Sequence, residues 1–321
     1  MRYYAIKIFE TDAGPNAQPI QEFSSAPGGV YQPNALDIEM DIPVTYFATP
    51  MGGAFVRIWG IDIKLLSQAA NYNGKTIQVF GGMQKGLPLA NPRQNGLLAS
   101  GTIQQAFGNW VGNEMTLDLV FTAGNTKTGE NINGTIDWKK GTPLSDAIDN
   151  TLRTAFPDYQ REINISPNLK LTVDQPGFYG SMLQFARYIN EVSLSILPGA
   201  NYRGVQILLK ERKFIVTDGT KKTSPKTIEY TDLIGQITWL TVASVSIMTV
   251  MRADIQSGDF VTLPPFLGIT TPASFSRQRL AQTFKGTWQV NSCRHTGRSR
   301  FAGATSWITV IEAAGPITNG G

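Results

Sequence analysis

Short segments rich in Val, Ile, Thr and aromatic residues, each closed by a cluster of Gly, Pro or Asn, recur along most of this chain and leave little room for long helices. "YYAIKIF", "FVRIWGIDIKLL", "KTIQVFGG", "LLASGTIQQAF" and "EMTLDLVFTAG" carry the pattern through residues 1–138. From residue 228 it resumes in "IEYTDLIGQITWLTV", "SVSIMTVMRADI", "DFVTLP", "GTWQVNSC" and "TSWITVIEA". Asn73-Gly74, lying between two such segments, predicts a tight hairpin turn. The expectation is a mainly β chain.

Between these stretches the periodicity changes. In "KKGTPLSDAIDNTLRTAFPDY", Leu144, Ile148, Leu152 and Phe156 recur every four residues, as on one face of a helix. Thr142 is placed to cap it, Pro143 suits its first position and Pro157 stops it. A second helix is predicted over residues 181–192, with Met182, Phe185 or Ala186, and Ile189 on one face. Strands are predicted to follow in "SLSIL", "GVQILLK" and "FIVTDG". The chain of 321 residues is long enough for several domains. We divide it into a β-barrel-like module (1–138), an α+β insert (139–230), a second β module (231–315) and a flexible tail (316–321).

One cysteine excludes an intramolecular disulfide framework, and "MRYYAIKIFETD" lacks the basic segment and apolar run of a secretory signal, so a cytoplasmic protein is expected. The longest near-apolar stretch, residues 237–251, is too short and too rich in Ser and Thr to span a bilayer. Only 16% of residues are charged while 41% are hydrophobic. Much of the surface is therefore neutral or apolar, as in proteins that bury large areas against other subunits.

The only cysteine, Cys293, and the only histidine, His295, stand two apart, so on a strand they would share a face. Nucleophilic catalysis would also need an orienting partner and an oxyanion site. The alternation in "WQVNSC" instead puts Trp288, Val290 and Ser292 on one side, Gln289, Asn291 and Cys293 on the other, and His295 in a polar turn before Gly297. One Cys and one His fall short of a zinc ligand set. "NGKT" (73–76) has Ala69 where a phosphate-binding loop requires glycine. No catalytic, cofactor-binding or metal-binding residue is assigned.

Charge distribution says more. Residues 260–311 contain no Asp or Glu but carry Arg277, Arg279, Lys285, Arg294, Arg298 and Arg300, in a chain whose net charge is only +4. The first 65 residues are acid-rich, with Asp37, Glu39 and Asp41 at period two on one face of an extended segment. That row suits a cation or an acid/base pair, or more simply a solvated strand face or an interface rim. The basic stretch suits a nucleic-acid-binding β protein using residues 277–300. It equally suits subunit pairing, in which an acidic N-terminal module meets a basic C-terminal one on a neighbour.

Several segments together resemble the baseplate (tail-tip) hub proteins of contractile-tailed bacteriophages and related injection machines. They are "GTPLSDAIDNTLRTAFP", "NYRGVQILLKERKFIVTDGT", "IEYTDLIGQITW", "MRADIQSGDFVTLP" and the stretch ending in "SWITVIEA", in this order across residues 139–313. The resemblance implies two tail-tube-like β-barrel modules per subunit and a homotrimeric ring that adapts a hexameric tail tube to a threefold central spike. It also implies a lumen for the genome and tape-measure protein, contacts with other baseplate proteins, a place in the virion tail after assembly in the host cytoplasm, and no enzymatic activity.

Overall fold

A computed structural model describes residues 2–11, 17–46, 53–83, 91–123, 134–199, 202–210, 213–220, 224–241, 243–264, 284 and 286–315. They belong to two compact units, one drawn from Met1–Val44, Gly52–Ala123 and Pro225–Gly321, the other from Thr45–Met51 and Gly124–Ser224. The long loop expected after Pro264 and the tail after residue 315 lie outside the described residues.

In the first unit the apolar segments become β1 (Arg2–Phe9), β2 (Gln21–Ser24), β3 (Asp37–Val44), β4 (Ala54–Trp59), β5 (Thr76–Met83), β6 (Gly96–Val111) and β7 (Glu114–Ala123). The predicted strand "FVRIWGIDIKLL" breaks in the middle. Gly60, at φ +80°, turns the chain out of β4, and the Asp62 carboxylate accepts the Leu65 N–H at 2.7 Å to cap α1 (Ile63–Ser67). Asn73-Gly74 therefore leads from a 3-10 turn (Ala69–Tyr72) into β5 and does not form the expected two-residue hairpin.

The second unit holds β8 (Gly134–Trp138), α2 (Leu144–Ala155), β9 (Gln160–Asn164), β10 (Gln175–Tyr179), α3 (Met182–Ile196), β11 (Gln206–Lys210) and β12 (Lys213–Thr217). β8, grouped with the first module on sequence, pairs here with β10. Leu144, Ile148 and Leu152 of α2 pack with Phe185 and Ile189 of α3 in one core. The Leu144 N–H bonds the Leu169 carbonyl at 2.8 Å, and Pro143 holds the cap position expected for Thr142. α3 runs on through the predicted strand "SLSIL" because Val192 and Ser193 extend the buried face set by Met182, Phe185, Ala186 and Ile189.

The chain then returns to the first unit as β13 (Lys226–Thr227), β14 (Thr238–Thr241), β15 (Ser244–Val250), β16 (Phe260–Thr262), β17 (Thr287–Arg298) and β18 (Trp307–Ala314). The strands before and after the second unit share one 13-stranded sheet, in which eleven strands follow the path β14-β15-β18-β17-β3-β4-β7-β6-β5-β1-β2 while β16 pairs with β17 and β13 with β16. Its joint is the antiparallel pairing of β17 with β3. The described strands form an open sheet whose main path is edged by β2 and β14, with β13 the outer strand of a side branch, where the family resemblance implied two barrels.

Two apolar cores lie under this sheet. One gathers Ile6, Ile38, Val56, Ile77, Leu117 and Phe121. The other gathers Val245, Ile247, Val261, Trp288, Val290 and Ile311. Between them a polar row crosses three strands: His295 on β17 pairs in register with Thr309 on β18, and Thr309 with Thr249 on β15, all three buried. The Thr309 hydroxyl accepts the Arg252 N–H at 2.9 Å. Arg252 is itself buried, bonding Asp232 at 2.7 Å and Asp254 at 3.0 and 2.7 Å, while the Gln94 amide donates to Asp232 at 2.9 Å.

A buried guanidinium is tolerated here because two carboxylates and the Thr227 carbonyl surround it. Arg252→Met strands Asp232 in the interior and is expected to cost about 3 to 5 kcal/mol, read as a lower midpoint in urea denaturation. An unchanged midpoint would show that the network is not structural.

Candidate interface surfaces

The acidic row lies where its period placed it. Asp37, Glu39 and Asp41 stand on the outer face of β3, while Ile38, Met40 and Ile42 are fully buried on the other face. The structure supplies their basic partners from within the chain. Arg294 bonds both oxygens of Asp41, through Nε at 2.6 Å and through its Nη2. Arg298 Nε meets Asp37 at 2.6 Å, and Asp37 also accepts the Ser299 hydroxyl at 2.8 Å and the Arg300 N–H at 3.0 Å. For these residues the acid–base match expected between subunits is therefore made inside one chain, because β3 and β17 are sheet neighbours and side chains diagonal to one another across them touch. Arg277, Arg279 and Lys285 lie outside the described residues.

The same face continues across β4 and β7. Glu39 faces Arg57 in register. Arg57 forms a bidentate pair with the buried Asp118 at 2.7 Å for each bond, and Asn109 donates to Asp118 at 2.8 Å. The Asp118 hydrogen bond raises the Arg57 guanidinium above its ordinary value, and burial opposes the rise. Arg57 lies 5.3 Å from the Phe55 ring and 5.5 Å from Trp59, while Arg298 covers Trp59 at 4.4 Å. Asp37, Asp41 and Asp118 thus offset Arg298, Arg294 and Arg57, a balance that suits a protein contact better than a polyanion.

The end of this face is clamped. Arg2 of β1 donates to the carbonyls of Arg298 at 2.7 Å, Ser299 at 3.2 Å and Phe301, and to the Ser306 hydroxyl at 2.6 Å, so one guanidinium holds the β17–β18 turn. Burial lowers its pKa and nearby Asp37 opposes the shift. Arg300 reaches from that turn to the carbonyls of Pro33, at 2.8 Å, and Ala35. Sequence reasoning assigned no role to Arg2, Arg57 or Arg252. Of the three, only Arg57 carried a signal, standing between Phe55 and Trp59 at period two.

Cys293 and His295 share a buried face, contrary to the alternation read from "WQVNSC". A register shift between Val290 and Ser292 inserts one residue into β17, so the buried positions move from Trp288 and Val290 to Cys293 and His295. Each is engaged separately: the thiol faces the Ile255 carbonyl at 3.6 Å, and His295 Nδ1 lies 2.9 Å from the Thr309 hydroxyl. Burial raises the thiol pKa and lowers that of His295 to about 4. Such a thiol is a poor nucleophile at neutral pH. Among the described residues no group of three or more His, Cys, Asp or Glu is placed to hold a metal ion, and no helix is long and apolar enough to cross a membrane.

The fold of this chain has counterparts among solved structures. A tail protein from Neisseria meningitidis MC58 matches 97% of this chain and 96% of its own at a TM-score of 0.50 and 10% identity. The 43 kDa tail protein of prophage MuSo2 from Shewanella oneidensis matches 98% and 99% at a TM-score of 0.53 and 8% identity. The fold is that of phage tail proteins. An E. coli component of the type VI secretion system, described as similar to the T4 bacteriophage tail proteins gp27 and gp5, matches 88% of this chain and 73% of its own at a TM-score of 0.50 and 10% identity. No protein-family model and no curated protein sequence matches.

Above about pH 6.5 the folded and unfolded chains of this tail-protein fold both hold neutral His295, and between there and about pH 4 only the unfolded chain takes up the proton. Stability is therefore lost as pH falls through that window. Between pH 7 and 4.5 the wild type is expected to lose about 2 to 3 kcal/mol more than His295→Gln, compared by urea denaturation at both pH values. Equal losses would show that His295 is not buried neutral.

On the outer face, Asp41→Asn removes a half-exposed pair and is expected to cost less than about 1 kcal/mol. Asp118→Ala strands Arg57 and Asn109 and is expected to cost about 2 to 3 kcal/mol, so thermal melts of the two variants should separate clearly.

Proposed function

We propose that this protein is a structural component of a phage-type tail, a baseplate or tail-tip hub that acts by assembly and not by catalysis. The observation that carries this is the end-to-end likeness to two tail proteins, which embraces both compact units. In this reading three copies form a ring that meets the hexameric tail tube on one side and the threefold central spike on the other. The ring surrounds a lumen for the genome and tape-measure protein. Its place is the virion tail, after assembly in the host cytoplasm alongside other baseplate proteins.

Two features support assembly. The sheet is open at β2 and β14, each of four residues, and edge strands present unpaired backbone groups that another chain can satisfy. Joining such edges between copies is how the open sheets would close into the barrel-like wall that the tail-tube resemblance implies. The outer face keeps its charge internally paired, which lowers the desolvation cost of burying it.

The mass in solution tests the proposal. Light scattering at several salt concentrations, with and without spike and tube proteins, should find three times the 35.1 kDa of the chain, alone or once a partner is added. A strict monomer that binds neither partner and shifts with added DNA would overturn the hub.

A further inference from the structure

Two exposed patches in the first unit have complementary chemistry. The first is the tip of the β6–β7 hairpin. It projects past β4, whose pairing with β7 ends at Thr116, and past β5, whose pairing with β6 ends at Thr102. Trp110 is 63% exposed and Val111 75%. The turn holds its own tryptophan in place, since the Trp110 indole donates to the Gly112 carbonyl at 2.9 Å and Gly112 adopts φ +62°. Beside them, paired in register with Val111, is the exposed Glu114, which makes no ion pair among the described residues. Large side chains left in water on a pre-ordered turn are the pattern of a contact anchor.

The second patch is the clamped β17–β18 turn. Phe301 is 61% exposed on it. Its two guanidiniums, Arg2 and Arg300, are held by neutral oxygens, so among the described residues neither forms an ion pair. Asp37 lies near both but is already paired with Arg298, which leaves an aromatic ring beside net positive charge. Both patches lie at the same end of the strands, because Trp59 faces both Asp37 and Thr116 while Arg298 faces Glu39. They sit on different strands, with β3 and β4 between them.

We propose that the β6–β7 tip of one copy docks on the β17–β18 turn of a second copy, Trp110 against Phe301 and Glu114 against Arg300. The acidic, aromatic tip matches the basic, aromatic turn in both charge and apolar character. Such a head-to-tail contact leaves every copy with one tip and one turn to offer, so it propagates around an axis and forms a ring where the rotation between copies closes. The inference rests on the hub reading and names one of its subunit contacts.

The test uses the full chain and measures self-association by sedimentation over a concentration series. R300E and E114R should each weaken association by about tenfold or more, and the double variant R300E/E114R, which swaps the charges at every contact, should restore most of it. F301S should weaken association without altering charge. E114R and F301S should melt like the wild type, since those side chains are exposed, while R300E gives up its bonds to the Pro33 and Ala35 carbonyls and is expected to melt lower, so E114R and F301S carry the test free of folding effects. If the single variants associate as tightly as the wild type, or the double variant is no better than either, the contact is overturned while a wild-type trimer keeps the hub reading intact. A wild type that stays monomeric even with tube and spike proteins overturns both, and leaves the two patches to a different partner.

Discussion

The pairing of β17 with β3 is the constraint on which the first unit depends. It joins residues about 250 positions apart, and the second unit sits in the chain between them. Loop closure grows only with the logarithm of length, about 5 kcal/mol for a loop of this size, and the intervening segment has a core of its own. The joint is held by a six-residue ladder from Cys293 to Arg298, by the Asp37 and Asp41 pairs, and by Arg2, which ties the first strand to the last turn. The exposed pairs contribute little singly. Their effect is on register, since a one-residue slip would turn Asp37, Glu39 and Asp41 inward and Ile38, Met40 and Ile42 out to water.

β17 does two jobs, and its bulge lets it do both. Residues 287–289 face β16 over one core and residues 293–298 face β3, with β18 alongside along nearly its whole length. The polar row of His295, Thr309 and Thr249 marks where one apolar core gives way to the other. Filling that row with apolar residues would fuse the two cores. The row remains acceptable inside the protein because its groups bond one another and the Arg252 backbone, and Arg252 then carries the network on to Asp232, Asp254 and Gln94.

Much of this was legible in the residues. Period-two patterning marked nearly every strand of the first unit, and the four-residue spacing of Leu144, Ile148 and Leu152 marked α2. Three failures have physical causes. Gly60 and Asp62 form a turn and a cap that outweigh the β character of the residues around them. α3 continues through β-favouring residues because tertiary burial of Val192 and Ser193 outweighs local propensity. The buried face of β17 depends on an inserted residue at Asn291 that no alternation reveals. The acidic row and the basic stretch were legible as opposite charges, and Arg294 and Arg298 pair with Asp41 and Asp37. Whether they meet within a chain or between chains depends on strand order, which charge patterns do not encode.

That internal match changes where recognition can occur. With Arg294, Arg298 and Arg57 already facing carboxylates, the broad outer face offers a neighbour shape and apolar contact and little net charge. Positive charge remains around the β17–β18 turn, where Arg2 of β1 and Arg300 are satisfied by carbonyls that bond a guanidinium without neutralising it. In the proposed contact, a sheet neutral on its face and charged at its tips would slide little against a copy of itself, because like tips repel and unlike tips attract at one relative placement. In a molecule with only 16% charged residues, a few charged groups at strand ends would suffice to set the orientation of the proposed contact, and the burial of apolar surface would supply its affinity.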